Sequence, residues 1–514
     1  MPLAIPATAG HGMRDFRIDR MWDNEERAVP VPVHLHEALD GLVLNPALPA
    51  DLVGRLLRYR RGLGHVAKRS DLTEDLIAEI IDADWFWLVH SLALNSSLPD
   101  TFRMRLARHP HPLVRTAVVV GSDDGTPREV FELLIDDPDP TVRGYLAESG
   151  HVPEDLRAAL AADPDPKIRA TLAQWWTDAP EQVRRTLLTD PVPDVRAAAC
   201  STYYARLPHP VPPPDLVPAL LADPVTRAGA IRHAALDHAT AAQLAQDPAP
   251  DVRKQVAAHP QLPPELRDTL AADPNASVRV VIFGRADTPE PLRAAIHAGI
   301  QALSAQPDTL QGLDADDPAR KRNLDNYTAR IELRYLKLDW VTADPLSHVD
   351  SPYPCFRASA AACASLPPDV VTRLLNDVDI DVVTTMVRHA PHLVDLATAE
   401  RVARQFRPDR PTAWHPADDF TFPPDVLRRF AVDPDPGMRR LAPRDPELPA
   451  ALAQKLATDP DHSVRHAVAN HRNLPTPALI GLLSDENESV AHAAAGSPYL
   501  PTEQMERLLA LADL

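Results

Sequence analysis

Histidine clusters, three cysteines and a recurring aspartate–arginine couple are the residues of this chain whose types and spacing invite a chemical reading. His34, His36 and Glu37 look like a fragment of a metal site, but the second histidine that a metalloprotease helix needs four residues beyond His36 is missing. His462 and His466 stand one helical turn apart, with His471 close behind. A helix starting near His462 puts His471 in the slot that His259 fills in another copy of the same phrase, which assigns these histidines to structure. Cys200, Cys355 and Cys363 show no C-x-x-C spacing, so they offer neither a zinc ligand pair nor the framework of a secreted disulfide protein. Each reads as a small buried hydrophobe. A G-x-S-x-G nucleophile turn is absent, and with only 17 glycines in the chain there is no phosphate-cradling loop. The expectation is no catalytic residue, no metal and no cofactor, hence no enzyme.

The aspartates and arginines carry a different message. Arg253 follows Asp247 by six residues, and the same interval links Asp137 to Arg143, Asp163 to Arg169, Asp190 to Arg196, Asp273 to Arg279, Asp433 to Arg439 and Asp459 to Arg465. Worn copies keep the register with one partner replaced: His109 with Arg115, Ser351 with Arg357, Asp377 with Val383 and Asp485 with Ala491. At Asp223 the next arginine, Arg227, is only four residues on, which predicts a different turn. A row of arginines can read a phosphate or carboxylate ligand. Here every arginine arrives with its own acid, so the expected use is a structural ladder of charge-assisted hydrogen bonds, each arginine reaching the aspartate of its own turn and that of the next repeat. Asp139, Asp165, Asp435 and Asp461 sit where helix N-caps are wanted, a poor place for a general base.

The elements that hold this ladder follow from the phrase DPAPDVRKQVAAHPQLPPELRDTL at 247–270, which begins again at Asp273, a period of 26 residues. Val252 and Val256 mark the apolar stripe of a first short helix. After His259-Pro260, Leu262 and Pro263 lead into a second, whose stripe is Leu266 and Leu270. So short a unit cannot bury enough apolar surface to fold alone, whereas stacked copies share one continuous core. The stretch VRKQVAAHPQLPPELRDTLAADPNASVR closely resembles the leucine-rich repeat variant family and, more loosely, the HEAT repeats, which share the paired aspartate and arginine. The resemblance runs from about 45 to 514 with two interruptions. It implies an all-α fold, a right-handed α-solenoid of short helical repeats of about 26 residues, with a scaffold or binding role. Some variant-repeat proteins carry an N-terminal cysteine cluster for an iron–sulfur centre; this N-terminal stretch has no cysteine.

The chain divides into an N-terminal extension and cap at 1–44, helical repeats at 45–295, an insertion with a long basic amphipathic helix at 296–350, repeats at 351–398, an Arg/aromatic loop at 399–422 and C-terminal repeats at 423–514. Residues 319–341, free of proline and glycine, read as one helix with an apolar face of Leu324, Tyr327, Ile331, Tyr335 and Leu338 beside a basic face that includes Arg320, Arg330 and Arg334. It serves either as a wedge paired with the acidic repeats or as a docking helix for an acidic partner or a phosphate backbone. Trp175 and Trp176, at the end of one repeat helix, fit a partner anchor as well as they fit packing. The candidate partner-binding residues are therefore Trp175, Trp176, Arg320, Arg330, Arg334, Tyr335, Trp340, Arg407, Arg410 and Trp414.

A formal charge of −19 disfavours nucleic acid and acidic membranes, where binding begins with basic charge meeting phosphate. No apolar run approaches the roughly 18 residues of a membrane span. Without the charged leader and apolar run of a secretory signal, the expected site of action is the cytoplasm, and the excess of arginine over lysine suggests a bacterial source. The function expected is a non-catalytic scaffold that binds a protein or peptide along its concave groove. The alternatives are a HEAT-like DNA-binding protein or DNA glycosylase, and a solenoid that binds a small molecule.

Overall fold

The computed structural model describes residues 31–59, 64–201, 210–303, 318–363, 365–406 and 415–514. Among them every regular element is a helix, most of them shorter than three turns, and no strand occurs. The fold is an all-α solenoid of repeated helix pairs. In the reference copy the first helix is Pro250–Ala258. Its proline enters in the first turn, where an N–H would lack a partner anyway. Val252, Val256 and Ala257 are buried, and His259, extended at φ −63° and ψ 130°, ends the helix. Pro263, at φ −59° and ψ 141°, sets the entry to the second helix, Pro264–Leu270.

That second helix buries Arg267 and Leu270, while Leu266 is only partly covered. The expected Leu266–Leu270 stripe is thus rotated toward the arginine. The reason is that Arg267 Nη1 donates to the Asp287 carbonyl at 2.6 Å, which pulls that face of the helix inward. The N-cap expectation agrees with the structure. Asp139, Asp165, Asp435 and Asp461 each accept from the backbone N–H two residues on.

Two compact units form, one from residues up to Pro153 together with Pro424–Leu514, the other from Glu154–Pro423. In the first, helix His462–Val468 packs on Glu488–Ala495, and Glu488–Ala495 packs on His36–Val43. The stack goes on through the short turn His65–Lys68 to Phe86–Ala93, Pro112–Val120 and Pro140–Glu148. The segment 1–44, read from sequence as a cap, therefore contributes a helix that stacks as a repeat on residues 488–495. Gly41 makes the crossing close: a Cβ there would lie 2.0 Å from the His492 carbonyl oxygen.

The second unit holds the insertion. Its helix spans Pro318–Arg334 and ends there, and a separate short helix follows at Asp339–Ala343, so the single helix expected over 319–341 is broken. The buried face differs as well. Ala329 and Leu333 are buried, whereas Leu324, Ile331 and Tyr335 are exposed. Gly284 supplies the physical cause. Leu336 and Leu338 lie against it, at 3.0 and 3.3 Å from where a Cβ would be, and Trp340 Nε1 donates to its carbonyl at 2.9 Å. The chain must leave the helical path after Arg334 to fit these side chains over one glycine.

Candidate partner-binding surface

The ladder has a definite geometry. In Arg169, Arg253, Arg357, Arg439 and Arg465, Nε and Nη2 grip both carboxylate oxygens of the next repeat's aspartate: Asp190, Asp273, Asp377, Asp459 and Asp485 respectively. Arg115 does the same to Asp137. Arg196 reaches Asp223 and Arg227 reaches Asp247 through one bond each. The closest contacts of these eight pairs lie between 2.6 and 2.8 Å. The third nitrogen, Nη1, turns back to the backbone carbonyl six residues earlier, as from Arg253 to Asp247 at 2.8 Å. An arginine's own aspartate is therefore met through its carbonyl, not its carboxylate. Arg143 reaches the Asp137 carbonyl in this way at 2.6 Å. Arg279, followed by the insertion, keeps its bond to the Asp273 carbonyl at 2.5 Å and makes no ion pair among the described residues.

Arg227 obeys the same interval, because its Nε donates to the carbonyl of Leu221, six residues back. The turn itself differs, as the four-residue gap to Asp223 suggests: the accepting carbonyl is not that of the acid, and Thr226 before the helix is helical in backbone, at φ −106° and ψ −13°, where Ala249 in the reference copy is extended. Each acid is held twice over, as when Asp273 also accepts from Asn275 N–H at 2.8 Å. These contacts move the titrations. The Asp273 carboxylate raises the Arg253 guanidinium above its ordinary value, and Arg169 holds the Asp190 carboxyl below the ordinary carboxylate range. A depressed folded value contributes stability above the free carboxylate's pKa of about 3.9 and loses it as pH falls through the folded value. Denaturant midpoints should accordingly stay level from pH 7 to about 5 and drop below about 4. Arg169→Gln should start lower and flatten that drop at the Asp190 step.

A second set of arginines, not foreseen from sequence, lies in the second helices. Arg103, Arg157, Arg267 and Arg293 are all buried. Arg103 donates to the carbonyls of Gly121 and Ser96 at 3.1 and 2.9 Å, and Arg293 to those of Arg285 and Thr288 at 2.8 and 2.9 Å. Arg157 sits 4.8 Å from the centre of the Trp176 ring, and burial pushes its pKa down to about 10 against the pull of Asp178. Arg293 lies 4.8 Å from the Phe356 ring and 5.6 Å from that of Trp340. Trp176 and Trp340 are thus lids on buried guanidiniums, a cation–π arrangement that stabilises the stack. Trp175, next in sequence to Trp176, is partly buried. The signal in the sequence is a proline four residues before an arginine, as at Pro99 and Arg103, Pro263 and Arg267, and Pro289 and Arg293.

Of the histidine and cysteine candidates, His471, its counterpart His259 and the buried Cys200 and Cys355 are taken up by structure, whereas Cys363, expected to be buried, is partly exposed. His259 Nε2 donates to the Ala234 carbonyl and His471 Nε2 to that of Asp445, while the Nδ1 atoms accept from Gln261 and Asn473 N–H. Both ring nitrogens are engaged, so neither has a lone pair for a metal. Burial pushes the Cys200 thiol up to about 12 and the Cys355 thiol up to about 11, far from a thiolate nucleophile. Among the described residues no cluster could hold a metal ion, and no helix is long and apolar enough to cross a membrane.

The insertion helix exposes several of its candidate residues. Leu324 is 47 % exposed, Ile331 38 % and Tyr335 56 %. With exposed Thr328 they follow one another at intervals of four, three and four residues, a single stripe on the side away from Ala329 and Leu333. Arg330 and Arg334 flank it. Arg330 Nη1 lies 3.4 Å from the Leu303 carbonyl, and Arg334 pairs with Asp381 at 2.6 Å while covering the Tyr335 ring. Arg320 is partly buried at the start of the same helix, and Glu332 ties its other edge to Lys254 at 2.7 Å. Arg407, Arg410 and Trp414 lie outside the described residues. Of their loop, Phe422 is buried and stands edge-on to Phe420 at 5.1 Å. A separate groove of about 650 Å³ is lined by Ala158, Ala162, Val183 and Thr186, with Glu154 and Asp155 along it.

Residues 250–275 match the family described as leucine rich repeat variant. Among solved structures, Kap121p bound to Ste12p and Kap121p bound to Nup53p are similar at 12 % and 13 % identity. Each alignment covers 90 % of this chain and 55 % of the other, with a TM-score of 0.25. The chain thus spans about half the length of those structures. An engineered protein is 14 % identical, covered over 91 % of this chain and 99 % of its own, with a TM-score of 0.13. No curated sequence matches. The resemblance to the leucine-rich repeat variant family therefore stands, carried by the matched repeat at 250–275 and by the all-helical repeat fold around it.

Proposed function

We propose that the chain is a non-catalytic repeat scaffold of the cytoplasm that holds a protein or peptide partner, with the Pro318–Arg334 helix as its point of contact. The observation that supports this reading is the apolar stripe Leu324, Ile331 and Tyr335, exposed beside arginines on a chain of net charge −19. An apolar stripe at these intervals is how helices are read by a partner, and flanking positive charge favours an acidic one. The eight ladder arginines held by both a carboxylate and a carbonyl support the stack and leave the reading of a partner to residues such as Arg320 and Arg330. Arg407, Arg410 and Trp414 remain candidates for a second contact.

The test is a photo-crosslinking residue at Thr328 in the full chain, exposed to native lysate. Discrete adducts are expected, and Leu324→Asp or Ile331→Asp should abolish them while leaving the melting temperature within about a degree or two, since surface substitutions usually cost less than ~0.5 kcal/mol. Adducts that persist in both variants would return this helix to a purely structural role. The nucleic-acid alternative makes the opposite prediction. Tight duplex DNA binding at moderate salt, lost in Arg330→Glu, would favour it.

A further inference from the structure

The contact between His36–Val43 and Glu488–Ala495 is built in the same way as the contacts between neighbouring repeats. Asn45 Nδ2 donates to the carbonyls of Ala495 and Ser497 at 2.8 and 2.7 Å. Arg69 Nη1 makes the same pair of bonds to Val43 and Asn45, and Asn95 Nδ2 makes it to Ala67 and Arg69. In the other unit Arg285 does so to Ala257 and His259. Each time a side chain just past the first helix reaches back to two carbonyls two residues apart, and the second acceptor occupies the donor's own slot in the preceding repeat. The slots run Ser497, Asn45, Arg69, Asn95. The last two steps cross 24 and 26 residues of chain, whereas the first crosses 452.

We propose that this junction is an exchangeable repeat interface: the face of Glu488–Ala495 takes the His36–Val43 helix either of its own chain or of a second copy. The other repeat contacts of this unit are backed by chain passing directly from one repeat to the next. This one is not, so its closure carries the larger entropic cost, and local opening starts where such support is least. Once apart, the faces are apolar and mutually complementary. Ala38, Leu39 and Leu42 are buried on one side, Val490, Ala494 and Ala495 on the other. They reclose on each other at low concentration. As protein concentration nears the effective concentration of the tethered pair, which so long a tether holds below the mM of short linkers, they close on a second copy instead. Gly41 is required in both cases, since the His492 carbonyl leaves no room for a side chain.

The test is to unfold the full chain in urea and refold it at about 1 µM and at several hundred µM, then measure mass by light scattering. Monomer is expected at the low concentration. At the high one a discrete dimer should form and survive dilution. Gly41→Leu should reduce the dimer yield roughly tenfold or more, as a clash against backbone requires. Asn45→Ala, which removes only the two hydrogen bonds, should reduce it several-fold and serves if the leucine variant does not fold. Refolding to monomer alone at high concentration would overturn the proposal. So would a dimer that neither substitution diminishes.

Discussion

Arg253→Ala should lower the stability of the 154–423 unit by about 3–5 kcal/mol, the usual cost of breaking a buried ion pair by removing one partner. Asp273 would be left with a side chain only 4 % exposed and no guanidinium against it, and the Asp247 carbonyl would lose its donor as well. Arg253→Lys keeps the charge but cannot grip both carboxylate oxygens and reach the carbonyl together, so an intermediate loss is expected. Chemical denaturation followed by circular dichroism would measure both. Partner capture through residues 318–334 should survive in each variant. Capture lost with an unchanged unfolding midpoint would mean that the arginine reads a ligand.

Gly229→Val should be comparably damaging, at about 3 kcal/mol. Helix Arg227–Ile231 crosses Pro193–Cys200 so closely that a Cβ at 229 would lie 1.6 Å from the Cys200 carbonyl oxygen and 2.9 Å from its sulfur. Backbone cannot yield as a side chain can, so the two helices must separate. Gly299→Ala is the control. It sits exposed in helix Glu290–Gln301 with nothing within 4 Å of its Cβ position, and should gain about 0.5–1 kcal/mol from helix propensity. Equal losses in both variants would point to a general intolerance of helix-interior change, not to this crossing.

The ladder was legible because it is local. An arginine and the carbonyl six residues before it are fixed by one turn and one helix, so the interval shows in the sequence wherever that turn recurs. The junction of residues 36–43 with 488–495 left no such trace. HEALDGLV carries no aspartate–arginine couple, and a contact between segments so distant in sequence has no period to betray it. For the insertion helix, apolar spacing found the stripe of Leu324, Ile331 and Tyr335 but grouped it with Tyr327 and Leu338 and left open whether that face packs inward or docks a partner. That choice belongs to Gly284, a residue outside the segment, whose open surface draws in Leu336, Leu338 and Trp340. The buried arginines of the second helices were passed over because arginine is ordinarily a surface residue. Only the recurrence of proline four residues ahead marks them.

The arginine ladder is rigid on one side and slack on the other. Backward, to the carbonyl, the interval is always six residues; forward, to the carboxylate, it is 20 at Arg253, 21 at Arg169, 22 at Arg115 and 27 at Arg196. The arc between an arginine and its next acid can therefore swallow extra residues while the rung at its end still forms. Changes of length are steered into that arc, which makes it the natural place to graft a foreign peptide.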